Sequence, residues 1–200
     1  MPTIQVTDHS DIQRMNMNHE LDTYEKILGE AALISSDRIF TNSGKDHAAI
    51  AMSLMYNHTR EKMQLVVDNF NGAVSNNPKY TDALEKCLNR GVKAEVLILN
   101  TPNRNSEGFK LFHKFRLRNP EQVIIKQAVD KTKEILKEAR DISHINVNEL
   151  YNIALFDNDK YRFEIKPSKF NALLSFSDSK LVAKYRIPFT NAFQTAIELA

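Results

Sequence analysis

The side chains of this sequence that could do chemistry gather on one stretch, Tyr151 to Asp178, YNIALFDNDKYRFEIKPSKFNALLSFSD. Within it Asp157, Asp159, Lys160, Arg162 and Glu164 bring carboxylates and cations close together. Such a set could bind a phosphate or an acidic partner through Lys160 and Arg162, with Asp157 and Glu164 holding the two cations in place. The plainer account is turn chemistry beside a solvated edge, because Asn and Asp are favoured in turns. At a period of two, Asp157, Asp159, Tyr161 and Phe163 would share a face, but a turn expected at Asn158-Asp159 breaks that register.

Other candidates lie apart from this stretch. Phe109, Leu111, Phe112 and Phe115 interleave with Lys110, Lys114, Arg116 and Arg118 on a short amphipathic helix. Lys114 and Arg116 could meet a phosphate-bearing polymer there, and a solvated helix face explains the same pattern. Asp46-His47, at the start of a helix, reads as an acid-base pair or as a cap beside a partly buried histidine. Asp8-His9-Ser10 holds three triad residue types, but immediate neighbours in sequence cannot form a triad. The chain has no Gly-Lys-Ser/Thr phosphate loop, no paired-glycine motif and no His-Glu-x-x-His.

These groups need a scaffold, and 200 residues with 42% hydrophobic and 26% charged content supply an ordinary globular domain. Twenty-seven Lys plus Arg nearly cancel twenty-five Asp plus Glu, so attraction to nucleic acid must come from a local patch. The single cysteine, Cys87, excludes an internal disulfide or a cysteine-based zinc site. No metal and no cofactor is expected. No apolar run approaches the roughly 18 residues of a membrane span. The first residues also lack the basic and apolar regions of a signal peptide, so a cytoplasmic protein without membrane association is expected.

Periodicity then orders the elements. Residues 1–17 read as a loose arm or a short edge strand, and residues 18–200 as one domain. A helix is expected from Asn18 to about Ser35, a short strand at Arg38 to Thr41 and a helix from near Asp46. Gln64 to Phe70 (QLVVDNF) is a buried strand. Asn77-Pro78 opens a helix that Arg90-Gly91 closes, and Val92 to Leu99 (VKAEVLIL) is a second buried strand. Together they make a strand-helix-strand unit of the length a parallel crossover needs. The polar loop Thr101 to Gly108 follows at the carboxyl end of that strand, where open α/β sheets place ligands. Asn119-Pro120-Glu121 predicts a long helix to about Arg140, and Ile142 to Val147 a strand. After the hairpin, residues 180–200 read as a helix that Pro188 kinks or divides. The class is α/β, with a mixed, mainly parallel sheet flanked by helices.

The order of QLVVDNF, a helix ending in Arg-Gly-Val, the strand VKAEVLIL and a later strand-turn-DxxxYRxE resembles the phospholipase D-like superfamily, over about Asp46 to Phe193. Active members of that family carry His-x-Lys-x4-Asp, in which the histidine attacks phosphorus, the lysine neutralises phosphate oxygens and the aspartate orients the histidine. Single-domain members pair as dimers so that two motifs meet. Aligned with that motif, this chain has Asn152, Ala154 and Asp159, an Asn-x-Ala-x4-Asp signature. Asparagine cannot form the phosphoryl intermediate, and alanine has neither charge nor donor. None of the six histidines is followed two residues later by lysine.

The resemblance therefore implies a catalytically degenerate homodimeric module that binds nucleic acid, another phosphate ligand or a protein partner. Two alternatives stand beside it. One is a nuclease or phosphodiesterase with a non-standard site using His47, His113 and Asp159. The other is a structural subunit of a larger assembly.

Overall fold

The computed structural model describes residues 9–141 and 152–199. Helix α1 spans His9–Leu33, followed by strand β1 (Phe40–Asn42) and helix α2 (Lys45–His58). Strand β2 (Lys62–Val67), α3 (Pro78–Asn89) and β3 (Lys93–Ile98) form the expected crossover unit. Then come α4 (Glu107–Arg118), β4 (Val123–Gln127) and α5 (Asp130–Asp141). The hairpin strands β5 (Ile153–Phe156) and β6 (Lys160–Lys166) lead to β7 (Asn171–Ser175), α6 (Ser179–Thr195) and β8 (Ile197–Glu198).

Among the described residues the strands make one sheet in the order β1-β7-β6-β5-β2-β3-β4-β8. It is mixed, as expected, but not mainly parallel. Only β2-β3 and β3-β4 pair in parallel, while β1-β7, β6-β7, β5-β6, β2-β5 and β4-β8 are antiparallel. The crossover helix makes the parallel part obligatory, whereas tight turns between β5, β6 and β7 can only return antiparallel strands.

Successive residues of each strand face opposite layers. Leu65 joins a core built with α1, α2, α3 and α4, and Val66 joins one built with α5 and α6. On the second side Leu155, Tyr161 and Phe163 pack against Val182 and Tyr185 of α6. The result is a three-layer α/β arrangement.

The local signals around α3 work as read. The Asn77 side chain accepts from the Lys79 amide at 2.9 Å, Pro78 begins the helix, and Gly91 follows it at φ 86°. Two further expectations fail. Residues 9–17 belong to α1, so the first helix starts well before Asn18. The expected helix from Asn119 to Arg140 is instead a strand and a shorter helix. Asn119 closes α4 rather than opening a new helix, and Val123-Ile124-Ile125 extends the sheet beside β3. Its β-branched residues pair with a neighbouring strand that no local pattern could reveal. The strand expected at Ile142 to Val147 lies outside the described residues. Pro188 sits inside α6. No helix among the described residues is long and apolar enough to cross a membrane.

Candidate functional site

Because β5 runs antiparallel to β2, its first residues lie beside the carboxyl end of β2, with Ile153 opposite Val66. A cavity of about 90 Å³ opens there. Its walls are Met52, Leu65, Val67, Phe70, Val74 and Tyr80, and its polar lining includes Asp68, Asn69, Asn152, Arg162 and Glu164. It is formed by the loop after β2 and by the hairpin rather than by the loop Thr101 to Gly108, which touches this region through a 2.8 Å contact between the Ser106 and Ser75 hydroxyls.

Register explains which hairpin residues reach the cavity. Ala154 pairs with Arg162 and Phe156 with Lys160, so Ala154 shares its face of the sheet with Lys160, Arg162 and Glu164. That row is buried, not a solvated edge: Lys160, Arg162 and Glu164 are 8%, 5% and 5% exposed. The physical reason is that β6 is an interior strand, covered on its outer side by β7 and β1.

Arg162 donates from Nε to Asn42 Oδ1 at 3.1 Å and from Nη2 to the Phe170 carbonyl at 3.4 Å. The Asn42 amide donates to the same carbonyl at 2.5 Å. Phe170 adopts the left-handed conformation, φ 53°, at the end of the short 3-10 turn Pro167–Lys169. Glu164 Oε1 lies 3.8 Å from Arg162 Nη2, and Glu164 Oε2 accepts from Asn152 Nδ2 at 2.6 Å. The other end of the Asn152 amide accepts from the Asp68 backbone at 2.7 Å. Burial pushes the Glu164 carboxyl up, opposed by Arg162 and by the Asn152 hydrogen bonds. Burial likewise pulls the Arg162 guanidinium down, opposed by Glu164 and by nearby Tyr24, Tyr56 and Tyr80. Tyr56 donates to the Tyr80 hydroxyl at 2.8 Å.

The rest of the hairpin cluster serves a different end of the fold. Asp157, at φ 47° in the turn, accepts from the backbone amides of Arg60 (3.0 Å), Glu61 (2.9 Å) and Lys62 (3.2 Å) and from Lys160 Nζ (2.9 Å). Lys160 also donates to Asp159 at 2.7 Å. Arg186 of α6 donates to Gln64 at 3.1 Å and closes on Asn158 and the Asp157 carbonyl. Burial tends to raise the Asp157 carboxyl, but the Glu61 amide, Lys160 and the amides of Arg60 and Lys62 together hold it below the ordinary carboxylate range. This is a clasp tying the hairpin turn to the start of β2.

The sequence-predicted positions are thus divided. Asn152, Ala154, Arg162 and Glu164 meet at the cavity, whereas Asp157, Asp159 and Lys160 lie at the far end of the hairpin. Five residues of strand separate Asn152 from Asp157, about 16 Å. The carboxylate that touches Asn152 is Glu164, not Asp159. Lys114 pairs with Glu85 at 2.8 Å and Arg116 donates to the Leu199 carbonyl, both away from the cavity. His47 stacks edge-on against Tyr24 and contacts the Ser43 carbonyl at 2.6 Å, while His113 stacks on Phe109. Neither is brought to Asp159. Among the described residues no three His, Cys, Asp or Glu side chains form a metal-binding group. Sequence reasoning missed Asn42, Asp68, Asn69 and Phe170, and read Tyr80 only as part of a helix. Their common signal is spatial, since Asn42 and Arg162 are 120 residues apart.

No protein-family profile matches the chain. No curated protein sequence matches it either. Several solved structures resemble it in fold. TrmBL2, described as an archaeal chromatin protein with a novel mode of DNA binding, superposes with a TM-score of 0.54 at 13% identity, over 95% of this chain and 66% of its own. This chain therefore spans slightly under two thirds of that protein. Nuc from Salmonella typhimurium, a phospholipase D family member, gives a TM-score of 0.53 at 10% identity over 81% of this chain and 99% of its own. Phosphatidylserine synthase from Haemophilus influenzae Rd KW20 gives 0.52 at 11% identity, over 80% of this chain and 39% of its own. With its helix-flanked mixed sheet and these structural relatives, the chain has a phospholipase D-like α/β fold.

Proposed function

We propose that this protein is a catalytically inactive phospholipase D-like module that acts by binding, with nucleic acid as its partner and a homodimer as its working form. One observation carries the reading. At the position aligned with the family's nucleophile stands Asn152, whose amide is already committed at both ends, to the Asp68 backbone and to Glu164. The aligned lysine position is Ala154, which brings no charge to a phosphate. The resemblance to an archaeal DNA-binding protein over 95% of the chain supports the choice of partner.

The purified chain is expected to cleave neither DNA, RNA nor a generic phosphodiester, to elute as a dimer in light scattering, and to retard single- or double-stranded nucleic acid in a salt-dependent manner. Hydrolysis by the wild type that disappears in Asp159→Ala or Glu164→Gln would overturn the inactivity. Failure to bind any polynucleotide at low salt would overturn the partner.

A further inference from the structure

The hydrogen-bonding capacity left over in the cavity is specific enough to describe an occupant. Arg162 is 5% exposed, and its Nε and Nη2 are engaged by Asn42, Phe170 and Glu164. Its Nη1, with two N–H groups, has no hydrogen-bond acceptor among the described residues. Tyr80, 5% exposed, accepts from Tyr56, so its own hydroxyl hydrogen remains to be donated. Asn69 Oδ1 is buried without any partner. A buried acceptor left unmade is costly, so Asn69 Oδ1 calls for a partner, and all three residues line the same cavity.

Charge and shape narrow the choice. Arg162 is already faced by Glu164, and Asp68 adds a second carboxylate to the lining. A phosphate or other anion would meet two negative groups for one positive one, so an uncharged ligand is favoured. Met52, Leu65, Val67, Phe70 and Val74 supply apolar walls. By the same measure of volume a single water needs roughly 10–15 Å³, so about 90 Å³ accommodates a ring-sized molecule.

We infer that this cavity is a pocket for a nucleobase, held by its acceptor atoms against Arg162 Nη1 and the Tyr80 hydroxyl and by a ring or exocyclic N–H against Asn69 Oδ1. A base is uncharged, flat and apolar on its faces, with donors and acceptors confined to its edge. The inference rests on the nucleic-acid reading above for its context, but not for its geometry. The base could arrive as a free nucleoside or as an unstacked residue of a single strand.

The full chain is titrated separately with adenosine, guanosine, cytidine and uridine, with a short single-stranded oligonucleotide and with inorganic phosphate, following melting temperature and binding heat. At least one nucleoside is expected to raise the melting temperature saturably, while phosphate does not. Asn69→Ala removes the unpaired acceptor offered to the ligand, whereas Tyr80→Phe removes the donor offered to the ligand and also leaves the buried Tyr56 hydroxyl without its acceptor. Each is expected to weaken that binding about tenfold, with the unliganded melt little changed in Asn69→Ala and lowered in Tyr80→Phe. A response to phosphate alone, or to none of the probes, overturns the inference. Nucleoside binding without any oligonucleotide binding leaves the pocket standing and removes the nucleic-acid module. Oligonucleotide binding untouched by both substitutions does the reverse.

Discussion

Ala154 stands directly opposite Arg162 across the β5–β6 ladder, and both residues line the cavity. A buried guanidinium on the neighbouring strand therefore faces the small side chain of Ala154. Rebuilding the motif as Asn152→His with Ala154→Lys would place a second buried cation against the first. Like charges directly across a ladder are unfavourable, and an unpaired buried charge costs about 3–5 kcal/mol. The double variant is expected to melt well below the wild type and to gain no phosphodiester hydrolysis. A stable variant that cleaves a generic phosphodiester would contradict this.

Arg162 and Glu164 depend on each other for burial. Arg162→Met alone leaves Glu164 facing Asp68 without its cation and Asn42 without its donor, for an expected loss of about 3–5 kcal/mol in urea unfolding. Adding Glu164→Gln should recover a substantial part, because the remaining amide no longer carries a buried charge. Strict additivity of the two substitutions would show that they do not act as a pair.

The Asp157 clasp makes stability depend on acid in a defined direction. Its folded carboxyl is held below the ordinary range despite burial, by backbone amides and Lys160. Its contribution is therefore complete above the unfolded carboxyl value of about 4 and is lost as pH falls through the folded value. Asp157→Asn should be less stable than wild type at neutral pH, and the two melting curves should converge as the pH drops below about 4. A constant gap across that range would refute the assignment.

Gly108 meets the loop after β2 at very close range. A Cβ built there would lie 2.8 Å from Ser75 Cβ and 3.2 Å from the Ser75 carbonyl oxygen, which already accepts from the Gly108 amide at 2.9 Å. Ser75 and Tyr80, the atoms in the way, belong to the cavity wall. Gly108→Ala should cost about 1–3 kcal/mol, read by thermal or urea melting, although alanine is the better helix former.

Cys87 provides a report on global opening. It is fully buried, and burial pushes its thiol up to about 12 against the pull of Arg90. Reaction with a thiol reagent at pH 8 should be far slower than for a free cysteine and should track unfolding as urea is raised. Rapid labelling of the native protein would show that α3 opens locally.

The sequence by itself determined what depends on near neighbours. Asn77-Pro78 and Gly91 delimit α3 because caps and turns are hydrogen bonds within a few residues, and QLVV and VKAEVLIL read as buried strands because a strand covered on both faces is largely apolar, whereas Asp68 to Phe70, expected to continue the first strand, form the loop after it. The hairpin was legible for the same reason, down to the side chains Arg162 and Glu164. What those side chains do was decided only by tertiary structure. In sequence, a row of Lys160, Arg162 and Glu164 looks like an edge facing water. In the folded chain β7 and β1 cover β6, Asn42 arrives from 120 residues away to receive Arg162, and Asp68 turns its amide to Asn152. The same long-range pairing turned Val123–Gln127 from an expected helix into a strand. It also separated Asp159 from Asn152, leaving Glu164 as the carboxylate at the cavity. Local chemistry fixes elements, but burial and partnership belong to strands that meet only when the sheet closes around them.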